Sequence, residues 1–282
     1  RPFLWAKHGP IWFKEQSPER EAHLRSLLIP EVRRRDKNIA FVRMHARFSA
    51  PDCHELLNTL TYDRTYIIDL TGRTPEKIAA AMPKDGRRGV KRAERVAKEA
   101  GVVIKDETGM DRATFDEVYR VLEETSERDG FTPHSADVYW TMLTTLGEQA
   151  RMYVARLDGR PVAWVLVVVN GISSVAYYGA STTADRATRA AEATDWYAAC
   201  DLAAKGYKGY DFMGAGSTRV PELYSVGMYK KRFAQHPTEV DGAWDVPVQR
   251  PVFEALVAAK KAKHLVRKAT VVASKASEAI KR

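Results

Sequence analysis

The 282-residue sequence is poor in cysteine and has no long hydrophobic stretch. Its two cysteines, Cys53 and Cys200, lie far apart, which is typical of a reducing compartment and not of a disulfide scaffold. The longest apolar run, residues 161–169, is too short to span a bilayer. These shortages exclude a disulfide-stabilised module and favour an ordinary globular protein.

Several common catalytic signatures are also missing from the sequence. It contains no G-x-S-x-G nucleophile elbow, no Walker phosphate loop, no H-E-x-x-H zinc helix and no C-x-x-C pair. The seven histidines do not have the spacing of metal ligands, so we expect no metal site. The chemistry must come from another kind of site.

Positive charge is what the sequence has in excess. The formal net charge is +9 at pH 7, and the isoelectric point lies near 9.4. Such an excess predicts a polyanionic partner, which would be a nucleic acid, a phosphorylated substrate or an anionic membrane. A basic surface that serves only solubility is the alternative.

Hydrophobic periodicity predicts an α+β fold, a mainly antiparallel sheet flanked by helices. The expected order of elements is two helices, a three-stranded meander, a helix and a strand, which is similar to the order in acetyltransferase folds. The meander is indicated by the hairpin turn Asp158-Gly159. In chain order we expect a helix from Glu76 that continues through 86–95, helices at 111–128 and 136–146, strands at 151–157, 162–169 and 174–178, a helix at 187–204 and a strand at 209–213.

The chain before residue 64 reads as part of a second, similar unit. Ser17-Pro18-Glu19 predicts a helix start, residues 39–44 a strand, and residues 54–60 a short helix. We therefore expect an incomplete first acetyltransferase-like domain at 1–63, completed by 236–259, and a second such domain at 64–235 that holds the site. A basic C-terminal helix is expected at 260–282, where it could touch phosphate or anionic lipid.

Acyl-CoA is the first donor to consider for such a fold. Acetyltransferases hold its diphosphate on free backbone N–H groups at a glycine-rich helix start. The matching stretch, residues 179–192, has no glycine after Gly179. We therefore expect no CoA cradle and no cofactor, with phosphate binding by Arg186 and Arg189 as a weaker alternative.

Two clusters of cations are the candidate contacts for a polyanion. Residues 84–98 carry seven lysines and arginines at helical spacing, which indicates either a phosphate-binding face or a solvated helix face. The second cluster, Tyr229-Lys230-Lys231-Arg232, follows the glycine-bearing stretch 210–219. Cations beside aromatics suit a phosphate backbone and a stacked base, although these aromatics could equally belong to the core. The glycines of 210–219 are expected to make room for substrate.

Five motifs in order resemble the Fem aminoacyltransferases (FemX, FemA and FemB). The resemblance runs from about residue 5 to about residue 258, and it implies a pair of acetyltransferase-like domains. It also implies transfer of an amino acid from aminoacyl-tRNA to an amine of a peptidoglycan stem peptide, carried on lipid II or on the UDP-linked precursor. The motifs are Arg87–Ala93, Thr125 with Arg128–Thr132, Tyr177–Ser181, Tyr210–Gly214 and Gly227–Phe233.

The resemblance also suggests a role for individual residues. Tyr229 and Lys230 match the pair that handles the aminoacyl end of the tRNA. A phosphate-contacting arginine of the family is His134 here, which leaves a lipid-linked muropeptide or a peptide natural product open as acceptor. Acceptor contacts are expected from Thr132, His134, Tyr139, Tyr178, Arg128 and Asp211, and tRNA contacts from Arg87, Arg88, Lys91, Arg92, Lys231 and Arg232.

The implied mechanism needs no ATP, metal or protein nucleophile, because the ester of aminoacyl-tRNA is already activated. Lys230 would face the terminal adenosine phosphate or the developing oxyanion, and Tyr229 would stack beside the terminal adenine. No general base is evident, since Asp211 is as readily explained as a cap of the glycine turn. The expected location is cytoplasmic, with peripheral contact at the inner membrane face and without a stable protein partner. The alternatives are an acyl-CoA N-acyltransferase and an RNA-binding module without catalysis.

Overall fold

A computed structural model describes residues 2–57 and 61–263 of the chain. Short 3₁₀ helices occur at Gly147–Gln149, Arg186–Thr188 and Pro221–Leu223, and residues 250–263 are helical. The other elements, in chain order, are β1 (Leu4–Ala6), α1 (Pro18–Arg35), β2 (Phe41–Ala46), β3 (Arg64–Asp69), α2 (Pro75–Ala81), α3 (Lys84–Glu99), β4 (Val103–Asp106), α4 (Arg112–Asp129), α5 (Ala136–Leu146), β5 (Ala150–Leu157), β6 (Arg160–Asn170), β7 (Ser173–Ser181), α6 (Ala190–Ala204), β8 (Gly209–Gly214), α7 (Tyr224–Lys230), β9 (Thr238–Glu239) and β10 (Gly242–Pro247).

The chain divides into two compact units, residues 1–63 with 240–282, and residues 64–239. In the first unit β2 is the middle strand of a three-stranded sheet, parallel to β1 and antiparallel to β10. Arg43 of β2 and Asp245 of β10 face each other across this sheet and are fully buried, with Nε and Oδ1 2.7 Å apart. The carboxylate also accepts the Leu57 amide at 3.0 Å, so both buried charges are compensated.

The second unit is a seven-stranded mixed sheet in the order β4-β5-β6-β7-β8-β3-β9. Its neighbours are antiparallel except for β7 and β8, which are parallel because α6 connects them. Its main buried cluster lies between this sheet and the helices α2, α3 and α6 and includes Val90, Trp196 and Leu202. The α+β class, with mixed sheets flanked by helices, is confirmed.

Local signals in the sequence account for the best-predicted elements of this unit. The helix predicted at 111–128 forms α4, where the Asp111 carboxylate accepts the Thr114 amide at 2.8 Å. Gly130 ends that helix in the left-handed region, with φ of 73°. Asp158 and Gly159 both have positive φ and join β5 to β6 in the expected hairpin.

Other predicted elements differ from the structure. The single helix expected from Glu76 through 95 is wrong: Pro83 separates α2 from α3 because it cannot continue the helical hydrogen bonding. No helix forms over 54–57, where His54 instead makes a β-bridge to Asp245. Strands β4, β9 and β10 had no counterpart among the predictions. Two parts of the predictions lie outside the described residues. They are residues 58–60 of the helix predicted at 54–60 and residues 264–282 of the predicted basic tail.

Candidate active site

The sheet of the second unit opens between β7 and β8. These strands pair only from Ser173–Val175 to Gly209–Asp211. Beyond that point β7 stays paired with β6 and β8 with β3, so a gap separates the two neighbours. A cavity of about 360 Å³ fills the gap, lined on one side by Ala176–Ser181 and on the other by Phe212 and Met213.

Lys230, the last residue of α7, lies in the wall of this cavity. Its ammonium group donates to the Gly214 carbonyl at 2.6 Å and to the Met213 carbonyl at 3.4 Å. Burial lowers the pKa of Lys230 to about 8, against the opposing effect of the charges on Asp211 and Asp195. The side chain is therefore a partly desolvated cation held by backbone carbonyls beside the gap.

Asp195 of α6 lies in the wall of the same cavity, and two phenols hold its carboxylate. The Tyr210 hydroxyl donates to Oδ1 at 2.8 Å, and the Tyr229 hydroxyl donates to Oδ2 at 2.5 Å. Burial raises the pKa of Asp195 to about 6, although both phenols and the Lys230 charge oppose the rise. A carboxylate with this pKa can gain and lose a proton near neutral pH.

The ring of Tyr229 lies against the core and also reaches the cavity. It packs edge-to-face on Phe212 and Phe233, with ring centroids 6.3 and 5.3 Å away. Burial keeps the pKa of its hydroxyl well above the usual value, so Tyr229 remains a hydrogen-bond donor. Stacking beside the terminal adenine of a tRNA stays a prediction.

The backbone at the end of β8 is held in an uncommon conformation. Met213 has φ of 59°, a region that side-chain-bearing residues rarely adopt. The Asp211 carboxylate accepts the Met213 amide at 2.7 Å, and the Thr65 hydroxyl donates to the Met213 carbonyl at 2.8 Å. Asp211 thus shapes the turn that places the Met213 and Gly214 carbonyls under Lys230.

The glycine turn that follows has a packing role that the sequence analysis missed. A Cβ at Gly216 would lie 2.6 Å from the backbone of Tyr224, the first residue of α7. The expectation that this glycine makes room for substrate is therefore wrong. Gly216 makes room for the helix that carries Lys230.

The residues expected to bind the acceptor fall into two groups. Arg128 and Tyr178 line the cavity, and buried Tyr139 packs edge-to-face on Tyr178 at 4.8 Å. Arg128 also donates to the Ser181 carbonyl at 2.8 Å. Thr132 and His134 are exposed in the segment between α4 and α5 and are not among the residues that line the cavity.

The cations expected to bind tRNA lie mostly on α3. Arg87, Arg88, Lys91 and Arg92 are exposed, and within the described part of the chain none of them forms an ion pair. Lys231 is also exposed, whereas Arg232 pairs with the Glu192 carboxylate. The structure therefore places one cationic helix face outside the cavity.

Two glycines bring α3 close to the segment that carries Lys230. A Cβ at Gly86 would lie 1.6 Å from the carbonyl oxygen of Arg232, and one at Gly89 would lie 2.7 Å from the guanidinium of Arg232. No larger residue fits at position 86 without moving backbone. The Gly-Arg-Arg-Gly motif thus joins a cationic face to the residues just after the cavity lysine.

The helix start of α6 does not fit the diphosphate of CoA. In the preceding loop the amides of Thr182, Thr183 and Arg189 donate to Val162, Glu124 and Arg186. The carboxylate of Glu192 lies buried in the first turn of α6, between the guanidinium groups of Arg189 and Arg232. Glu192 thus places a buried anion in the first turn of α6, beside the helix start at which a CoA diphosphate would bind.

Sequence reasoning singled out Lys230 and Tyr229 but missed Asp195. The available signal was a carboxylate on the face of an alanine-rich helix that also carries Ala198, Ala199 and Leu202, which are all fully buried. An acidic residue on such a face is buried at a cost unless it has partners or a function.

Comparisons with known proteins agree with this architecture. A family model described as acetyltransferase (GNAT) domain matches residues 84–231. The crystal structure of FemX is 15% identical, covers 83% of this chain and 78% of its own, and has a TM-score of 0.62. The C-terminal domain of a putative lysylphosphatidylglycerol synthetase from Agrobacterium fabrum is 13% identical, with coverages of 82% and 75% and a TM-score of 0.54. These likenesses concern the fold.

No curated protein sequence matches the chain. Within residues 2–57 and 61–263, no helix combines the length and apolarity required to cross a membrane.

Proposed function

The chain belongs to the acetyltransferase (GNAT) domain family, and within that family we propose that it is an aminoacyltransferase that uses aminoacyl-tRNA as its donor. The acceptor is an amine of a peptidoglycan precursor stem peptide, on lipid II or on the UDP-linked muropeptide. The reaction joins the amino acid to that amine in a new peptide bond.

One observation favours aminoacyl-tRNA over acyl-CoA as the donor. The first turn of the helix that would hold a CoA diphosphate contains the buried Glu192 carboxylate. By contrast, Arg87, Arg88, Lys91 and Arg92 of α3 form no ion pair with any described residue, and α3 packs against the segment that follows Lys230. A donor that is recognised through an extended phosphate backbone matches this distribution of charge. The Fem-like motifs in the sequence, and the likeness of the fold to FemX, support the same donor.

Each group near the cavity has a task in this proposal. Arg87, Arg88, Lys91 and Arg92 bind phosphates of the acceptor stem. The aminoacyl ester enters the gap between β7 and β8, and the ammonium of Lys230 stabilises the oxyanion formed on attack. Arg128 and Tyr178 contact the acceptor, as do Thr132 and His134 at its outer part.

The test supplies total tRNA charged with labelled amino acids, together with UDP-MurNAc-pentapeptide or lipid II. We expect a muropeptide that is heavier by one amino-acid residue, and ribonuclease should abolish it. Lys230→Met should lower the rate about 100-fold or more, whereas Lys208→Met, at an exposed lysine outside the cavity lining, should not. Failure of every charged tRNA with both acceptors would reject the proposal.

Transfer from acyl-CoA is the second candidate, and the description of the matching family favours it. Its product would form from acetyl-CoA alone and would survive ribonuclease. Mass spectrometry separates the two donors, because acetylation adds a smaller mass than any amino-acid residue.

A further inference from the structure

The acceptor amine must lose a proton before it can attack an ester, and the sequence indicated no group to receive it. At neutral pH such an amine is mostly an ammonium, which has no lone pair for the attack. A carboxylate in contact with the bound amine is the simplest proton acceptor. The cavity lining contains two carboxylates, Asp129 and Asp195.

Asp129 is unsuited to this task because an ion pair already compensates its negative charge. Arg128 holds its two oxygens at 2.8 and 3.0 Å. This guanidinium lowers the pKa of Asp129, and it therefore retains a proton poorly. Hydrogen bonding to the positively charged Arg128 is the main cause of this lowered pKa.

Asp195 has neutral hydrogen-bond donors instead. Tyr210 reaches it from β8 and Tyr229 from α7, and both phenols keep their own protons because burial raises the pKa of each. The other charged groups that act on it are Lys230 of α7 and Glu192 of its own helix, which have opposite effects. The carboxylate is therefore fixed in position without losing its basicity.

We propose that Asp195 is the general base of the transfer, receiving a proton from the acceptor ammonium at the cavity wall. This inference rests on the proposed function for the identity of the reaction. The two phenols fix the direction of the carboxylate, and Lys230 stands on the same wall to meet the oxyanion.

A primary ammonium gives up two protons when it becomes an amide. Asp195 takes one proton, and the neutral amine then forms the C–N bond at the ester carbonyl, whose oxygen becomes the oxyanion. When the oxyanion collapses, the bond from that carbon to the ribose oxygen breaks, and the second proton from nitrogen passes to this leaving oxygen. Asp195 finally releases its proton to solvent, so the net products are an amide, a ribose hydroxyl and one proton.

The kinetic test measures single-turnover transfer from charged tRNA between pH 5 and pH 9. The wild-type rate should rise through about pH 6. Asp195→Asn should lower the rate at pH 7 by about 100-fold or more and should shift the rise toward the pKa of the free amine. Tyr210→Phe removes one donor to the carboxylate, so it should move the rise to higher pH.

Asp129→Asn is the matched control, since it makes the same atomic change at the other carboxylate of the cavity. It should leave the rise near pH 6 in place, whatever its effect on the rate. An unchanged pH profile in Asp195→Asn would overturn the inference while leaving the proposed function intact.

A second measurement decides the inference even if no transfer occurs. Carboxyl ¹³C NMR of the protein, with Asp195→Asn for assignment, should show Asp195 titrating near pH 6. Its resonance should shift saturably with n-butylamine, used as a plain ammonium probe. A carboxyl that titrates below pH 4, or that ignores the amine, would reject Asp195 as the base.

Discussion

The hydroxyl of Tyr229 donates to Oδ2 of Asp195 at 2.5 Å, joining the residue before the cavity lysine to a carboxylate 34 positions away in the chain. This bond links α7 to α6 across the end of β8. The protonation of Asp195 and the placement of Lys230 therefore belong to one network, and a change at either residue should affect both stability and transfer.

Stability should depend on pH through Asp195. Its folded pKa of about 6 lies above its ordinary value of 3.8, so the folded state binds the proton more tightly and loses stability as pH rises from about 4 to above 6. The difference corresponds to about 2–3 kcal/mol. In urea unfolding, the free energy of unfolding of Asp195→Asn relative to that of wild type should therefore increase across this range.

The control for that experiment is Asp129→Asn, whose difference from wild type should stay nearly constant across this range. Arg128 lowers the pKa of Asp129 below its ordinary 3.8, so the stability that this carboxylate contributes is present above about pH 4 and is lost only at lower pH. A constant difference between wild type and Asp195→Asn at all pH values would show that Asp195 does not titrate near pH 6.

Lys230 should give the opposite trend at alkaline pH. Its folded pKa of about 8 lies below the ordinary 10.5, so wild type should gain stability between pH 8 and pH 10.5 as the buried amine becomes neutral. Lys230→Met should not show this gain. Chemical unfolding at pH 7.5 and pH 10 provides the comparison, and equal gains in both proteins would contradict it.

The cations of α3 should determine the salt dependence of RNA binding. Arg87→Gln and Arg88→Gln should each weaken tRNA binding and reduce the slope of log Kd against log salt concentration by about one unit, as expected for one lost phosphate contact. Arg95→Gln is the matched control, because Arg95 lies on the same helix but pairs with Glu99 at 3.3 Å. Fluorescence anisotropy at several salt concentrations measures the slopes. Equal slopes in all variants would remove α3 from the RNA-binding surface.

The two glycines of α3 should differ in their tolerance of alanine. Gly86→Ala would meet the backbone of Arg232, which cannot move without α7, so we expect destabilisation of about 2–4 kcal/mol. Gly89→Ala meets only the ends of the Arg232 and Glu192 side chains, and the better helix propensity of alanine offsets part of the cost. Thermal unfolding should rank Gly86→Ala well below Gly89→Ala. The reverse order would contradict the close contact at position 86.

Elements fixed by neighbouring residues could be predicted from the sequence. The cap at Asp111, the stop at Gly130 and the turn at Asp158-Gly159 act within a few positions, and the structure has α4 and the hairpin where they indicate. Pro83 was an equally local signal, but a continuous run of helix-forming residues around it concealed the break. Sequence alone singled out Lys230, Lys231 and Arg232 as a cluster of cations after the glycine turn, and their roles stay predictions.

The network around Asp195 could not be predicted in the same way. Its partners Tyr210 and Tyr229 are 15 and 34 positions distant and meet it only because β8 packs against α6. The close approach of Gly86 to Arg232 has the same origin. Long-range packing determines such contacts, so hydrophobic periodicity in the sequence cannot predict them.

The short pairing of β7 with β8 has a consequence for the ligands that the gap accepts. Strand edges normally occur at the rim of a sheet, yet here two edges face each other inside one. On the β8 side the Met213 amide and the Met213 and Gly214 carbonyls are already bonded to Asp211, Thr65 and Lys230. A ligand in the gap therefore meets side chains, and not a free strand edge, on that side.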